Sequence, residues 1–384
     1  MGINNIDMIP FGSFRLGKIY GISIEINYTW FIIFGLVTAA LAFAYFPTLY
    51  PQLSVGVTIV MGFITSVLFF GSVLAHELMH SIVAIKNGME VKKITLFIFG
   101  GVSQLSDEPE TPGIEFKMAI AGPGTSFVLG IVFGLIAIGS SSIGLSPAIF
   151  GPFVWLGIIN ILLAVFNMIP GFPLDGGRVF RSILWAGFKD MKKATKIAAR
   201  VGQGFAYLLI VGGLIFIFSG LLDGLWLILI GWFLNNAAQG SYQQLLLRDS
   251  LKDVNVEKLM KADAEAMPAG TKLKDAVDEY FLKSNKAVLP VVKGPKADLI
   301  GEVRINDVQL IPKSEWEQKD IEQVTKPVSD EEKVGLQENA MNALMKMSET
   351  KADKLLVVSE SHLKGNVYRD DIMRLIKIKS RLSR

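Results

Sequence analysis

The chain has 384 residues, with 38 Lys and Arg against 35 Asp and Glu, a net charge of +3, no cysteine and three histidines. A charge balance so near neutral, with no basic patch interleaved with aromatics, argues against nucleic acid as a partner. The missing cysteines exclude disulfides and thiolate-held metals. Long apolar runs fill positions 1–246 and most of the charge follows them, which predicts a membrane domain and then a soluble one.

The opening MGINNIDMIPFGSFRLGKIYG has neither a basic start followed by an apolar stretch nor a cleavage site, so no removable signal is expected. Ile6 stands where a myristoylation signal needs Ser or Thr. Six segments then meet the need for about 20 apolar residues across the hydrocarbon core: 28–47, 55–85, 116–139, 148–170, 200–219 and 222–243. Lys and Arg collect on the cytoplasmic side of a membrane. Arg15 and Lys18 precede the first segment, Lys86, Lys92, Lys93 and Lys117 separate the second from the third, and Arg178 to Arg200 supply the basic loop between the fourth and fifth. The remaining loops carry neither residue, so a multi-pass protein of the cell membrane with both termini cytoplasmic satisfies every loop.

The second segment ends in His76-Glu77-Leu78-Met79-His80. Two imidazoles four positions apart share one helix face and can hold zinc, and the glutamate beside the first is placed to take a proton from water activated by the metal. Such a pentapeptide also arises by chance in packed helices. Here residues 28–75 carry no charge, and a charged group near the bilayer centre costs about 2.5–3.5 kcal/mol. An ionisable trio at that depth therefore reads as a working site.

Next, Ile94 to Phe99 and Val102 to Leu105 read as a β-hairpin turning at Gly100-Gly101. Its edge either pairs with an extended peptide or covers the cytoplasmic mouth of the site. Catalytic zinc takes three protein ligands and leaves a fourth position open, yet no Glu or His occurs between Lys117 and Glu257. Of the aspartates there, Asp223 lies in an outer turn, Asp190 sits among lysines, and Asp249 and Asp253 begin the charged linker. Asp175 follows the fourth segment on the side where His76 and His80 lie. Pro170 and Pro173 interrupt that helix and Gly176-Gly177 permit a tight turn, so the carboxylate can be aimed back at the metal.

Beyond position 246 an internal repeat has a period of about 65 residues. Leu289-Pro290-Val291-Val292 recurs as Leu355-Leu356-Val357-Val358, and Gly301 to Asp307 as Gly365 to Asp371. Each copy reads as helix, strand, strand, helix, which predicts α/β domains over 247–315 and 316–384.

The motif at 76–80, taken with Asn167-x-x-Pro170-x-x-x-Leu174-Asp175-Gly176-Gly177-Arg178, resembles the site-2 protease family of intramembrane zinc metalloproteases. The repeat resembles tandem cystathionine-β-synthase-type (CBS) domains, carried by one subgroup of that family. The resemblance covers nearly the whole chain. It implies a polytopic α-helical membrane domain of six transmembrane helices with a small membrane-associated β-hairpin, followed by an α/β CBS pair as a regulatory module. It also implies one zinc ion (Zn2+) per chain on His76, His80 and Asp175, with Glu77 as catalytic base. Asn167, with Gly100 and Gly101 of the hairpin, would meet the substrate, a single-span membrane protein in the lipid bilayer.

Met79 departs from the glycine common at that place. Ala121-Gly122-Pro123-Gly124 resembles a further family signature, though its residues alone indicate a kink or a close helix contact. In the CBS pair the hydroxyl positions of a nucleotide site hold Arg304 and Tyr368, while Asp307 and Asp371 remain. Adenine nucleotide as a second cofactor stays open, as does a homodimer through the CBS domains. The rival reading is a membrane metal transporter or ion-binding protein with a CBS sensor, which would use the same His and Asp and needs no glutamate at position 77.

Overall fold

In the computed structural model, which describes residues 12–98, 100–105, 108–262, 264–284 and 286–382, the chain begins as a sheet. Strands β1 (Ser13–Ile19) and β2 (Ile22–Asn27) pair antiparallel. Tyr20 and Gly21 join them at φ 50° and 79°, the pair of positive angles that a two-residue hairpin turn requires. Neither strand is an apolar run. The signal is a two-residue alternation in which Ile22, Ile24 and Ile26 are buried while Ser23 and Glu25 are less so.

Strand β2 pairs parallel with β3 (Val91–Phe97), which pairs antiparallel with β4 (Gly100–Leu105), giving the order β1-β2-β3-β4. The expected hairpin is present with its turn displaced. Gly100 and Gly101 are the first residues of β4, opposite Phe97 and Leu96, so the chain reverses before them. Gly100 has φ 126°, a conformation that glycine alone adopts without strain.

Among the described residues, five helices are long and apolar enough to cross a membrane. They are α1 (Thr29–Leu49), α2 (Val55–Lys86), α3 (Pro112–Ser142), α4 (Pro147–Asn167) and, after the shorter α5 (Asp175–Phe188), α6 (Met191–Phe218). The sixth expected segment is occupied by α7 (Gly224–Leu251), in which Asn235, Asn236 and Gln239 interrupt the apolar run. Along α2, Thr58, Met61, Thr65, Ser72, His76, His80 and Ala84 recur every three to seven residues and are buried. Val60, Phe63, Ile64 and Val67 lie exposed on the same helix, an apolar face suited to lipid. Helices α3 and α4 approach closely at Gly130 and Gly157, where an added Cβ would press on Ile161 and on the backbone of Gly134.

The chain divides into two units, Met1–Gln243 and Gln244–Arg384. The second holds one sheet in the order β5-β6-β7-β10-β9-β8, from β5 (Met267–Pro268), β6 (Val288–Lys293), β7 (Asp298–Arg304), β8 (Lys333–Gly335), β9 (Lys354–Ser359) and β10 (His362–Tyr368). This order is the sequence repeat laid out as two halves, which meet where His362 of β10 faces Asp298 of β7. Leu251, Val254 and Val256 pack with Val334, Leu355 and Ile372, while Ile321 packs with Met267, Leu289 and Val303. Each half is completed by the segment that leads into the other, because a unit of this size does not bury its apolar face alone.

Candidate active site

Helix α2 carries His76 and His80 on its buried face, with 5% and 6% of their surface exposed. Helix α5 starts at Asp175, whose Oδ2 lies 3.1 Å from His76 Nε2 and 3.2 Å from His80 Nε2. These three groups are the cluster among the described residues that could hold a metal ion, with ligand atoms all within 4.8 Å of one another. Asp175 occupies the first turn of its helix, where the helix dipole favours a negative charge. Burial pushes its carboxyl up, and the adjoining His80 and His76 outweigh burial and hold it below the usual carboxylate range.

The far side of each ring fixes its orientation. His80 Nδ1 lies 2.6 Å from the main-chain oxygen of Met118, which can only accept, so Nδ1 carries the proton. In the neutral ring Nε2 is then a lone pair facing a carboxylate oxygen, and a cation shared between them, a metal ion or the ring's own second proton, relieves the repulsion. His76 Nδ1 lies 2.9 Å from Ser126 Oγ, a hydroxyl that accepts the ring proton when Nδ1 carries it and leaves Nε2 facing the site. Both partners come from α3, and so does the space: a Cβ at Gly122 would overlap the Nε2 atoms of both histidines. Two imidazoles and a carboxylate converging on a cradle with no room for a methyl group fit a zinc ion with one position open.

Glu77 lies against β4. Ser103 Oγ donates to Glu77 Oε2 at 3.0 Å, and Ser81 Oγ lies 3.1 Å from Ser103 Oγ. A Cβ at Gly101 would overlap Cγ of Glu77.

Asp175 is brought to the histidines by packing, and the expected tight turn at Gly176-Gly177 is instead the first turn of α5. There the two glycines lie on the backbone of Met168, Ile169 and Gly171, with no room for side chains. Two turns further on, Arg181 is buried and ion-paired with Glu115 of α3 and, at 3.2 Å, with Glu108. Asn167 closes α4, and its amide donates to the Leu163 carbonyl at 2.9 Å. Among the described residues its hydrogen bond stays within its own helix.

Residues 64–150 and 134–211 match the profile of peptidase family M50. The protein sll0528 of Synechocystis sp., itself assigned as a zinc metalloprotease, is 37% identical over 350 residues, 90% of this chain and 90% of that one. The chain belongs to peptidase family M50, the site-2 protease family. A solved site-2 protease from Methanocaldococcus jannaschii is 32% identical and covers 60% of this chain and 94% of its own, at a TM-score of 0.41. The CBS domain of a bacterial CNNM/CorC family Mg2+ transporter, solved with ATP, is 18% identical and covers 35% of this chain and 97% of its own, at 0.29.

As a member of the M50 family the protein is a membrane-embedded zinc metalloprotease by descent. Gly122, Ser126, Ser103 and Arg181 join its candidate site, and the last three were not marked by the sequence. Only Gly122 had a signal, the Ala121-Gly122-Pro123-Gly124 stretch. In the C-terminal unit Arg304 pairs with Glu302 at 2.9 Å and lines a cleft of about 400 Å³ with Lys354 and Tyr368. Asp307 and Asp371 do not line it. They are paired with Lys326 at 2.6 Å and with Lys261 at 2.8 Å.

Proposed function

We propose that this protein is an intramembrane zinc metalloprotease that hydrolyses a peptide bond in or near the transmembrane segment of a single-span membrane protein. The observation that carries the reading is the meeting of His76, His80 and Asp175 within 4.8 Å on buried surfaces of a strongly apolar helical unit. These three would hold one zinc ion per chain. Zinc, when bound, supplies Lewis acidity that polarises the scissile carbonyl and makes water a nucleophile near neutral pH.

Glu77 takes the proton from the attacking water and passes it to the leaving amine. The contacts of His76 Nδ1 with Ser126 and of His80 Nδ1 with the Met118 carbonyl keep each imidazole turned with Nε2 toward the site. A substrate helix shields its own amides and must unwind before cleavage. Strand β4 is paired on one side only among the described residues, and its other edge, starting at Gly100 and Gly101, accepts the extended segment. Asn167 hydrogen-bonds the same unwound backbone. Helix α7 serves as a sixth span, which returns the chain to the cytoplasm. There the C-terminal unit acts as a CBS-type regulatory pair, with adenine nucleotide in the Arg304 cleft and a homodimer as its assembly.

Purified protein in liposomes, offered single-span membrane proteins, should produce fragments whose new termini lie in or next to the span by mass spectrometry. A chelator should stop cleavage and added zinc restore it. Cleavage confined to soluble loops contradicts the reading.

A further inference from the structure

Among the described residues, Ser103 is the side chain bonded to the carboxylate of Glu77, and it comes from a strand instead of from the helix that carries Glu77. Gly101 and Ser103 are two apart on β4 and so present the same face. That face meets Glu77 at two points, the missing Cβ of Gly101 and the hydroxyl of Ser103. Opposite them, Leu96 and Ile94 of β3 are 3% and 0% exposed, so the inner side of the hairpin is anchored in the core. Ser81 Oγ lies 3.0 Å from the main-chain oxygen of Glu77 and 3.1 Å from Ser103 Oγ, and since the carboxylate only accepts, the Ser103 hydroxyl donates to Glu77 Oε2.

We propose that β4 is a seat for the catalytic base: Gly101 shapes it, and Ser103 is a positioning residue that turns the Glu77 carboxylate toward the attacking water. The proposal rests on the protease reading of the same site. One oxygen of Glu77 is occupied by Ser103 and the other is left to take the proton. Without that bond the carboxylate is free to rotate on its χ angles, and a misplacement of about 1 Å in a reacting group costs on the order of a hundredfold in rate.

The test is steady-state cleavage of a reconstituted substrate with zinc content measured on the same samples. Ser103→Ala should lower kcat by about tenfold or more, with KM little changed and zinc still bound. Ser103→Thr, which restores the hydroxyl and suits a strand, should recover most of kcat. Gly101→Ala should lower kcat further, because its Cβ displaces Glu77 itself. Wild-type kcat in Ser103→Ala overturns the proposal, as does a rise in KM alone or a loss of zinc in that variant. Each of those outcomes leaves the protease reading intact, which fails separately if Glu77→Gln still cleaves.

Discussion

His80 donates from Nδ1 to the main-chain oxygen of Met118 at 2.6 Å, and that bond turns the ring's other nitrogen toward Asp175. Helix α3 thus shapes the metal site without supplying a ligand. One turn beyond Met118, Gly122 leaves the room in which the two Nε2 atoms stand. Gly122→Ala should abolish stoichiometric zinc binding and cleavage together, measured by elemental analysis and substrate turnover. Gly124→Ala is the control, since a Cβ there meets nothing within 4 Å and both properties should survive.

The bond between His76 Nδ1 and Ser126 Oγ, 2.9 Å long, would orient His76 as a ligand rather than supply one. Partners of this kind typically matter by about 10–100-fold in metal affinity. Ser126→Ala should weaken zinc by that factor in a chelator competition, and Asp175→Ala should weaken it much more. Equal effects of the two substitutions would mean that Asp175 is not a ligand.

Arg181 and Glu115 join α5 to α3 through an ion pair that is 4% and 0% exposed. Removing one member of a buried pair leaves an uncompensated charge and costs about 3–5 kcal/mol. Arg181→Met should therefore lower the melting temperature in detergent sharply. Adding Glu115→Leu to it should recover part of the loss. A double variant less stable than the two single losses combined would contradict this account of the pair.

Glu25 on β2 is bonded by Lys93 at 2.9 Å and by Ser13 at 2.7 Å. Burial raises its pKa, and these bonds with the charges of Lys93 and Arg15 outweigh burial and hold it below its ordinary value. A carboxyl depressed in the folded state stabilises the fold above its unfolded pKa, near 4.3. That contribution is lost as pH falls through the lower folded value. Melting temperature should therefore drop as pH goes from about 5 to 3, and Glu25→Gln should flatten part of that drop.

The grouping of His76, His80 and Asp175 was legible in the sequence because ionisable residues are scarce there, and elimination by membrane side left Asp175 as the downstream candidate. Five of the six expected spans were legible through their apolar length, except at their ends. Helix α6 begins at Met191 instead of about 200 because its first turns carry Lys192, Lys193 and Lys196, which continue a helix outside the hydrocarbon. Strands β1 and β2 escaped because their signal is alternation, and the hairpin turn was misplaced because Gly100 and Gly101 serve the strand. Gly122 and Ser103 act through the space they leave or a single hydroxyl. Such roles exist only once α2, α3 and β4 are packed together. The repeat after position 246 was visible, but the exchange of lead-in segments between its halves depends on packing that no local pattern records.

The central claim is that Glu77 is the base of a zinc site formed by His76, His80 and Asp175, and it is tested most directly by Glu77→Gln in liposomes with a single-span substrate. Zinc per chain and cleavage rate are measured on the same preparation. The account predicts one zinc retained and cleavage lost. Cleavage at the wild-type rate with zinc bound would contradict it.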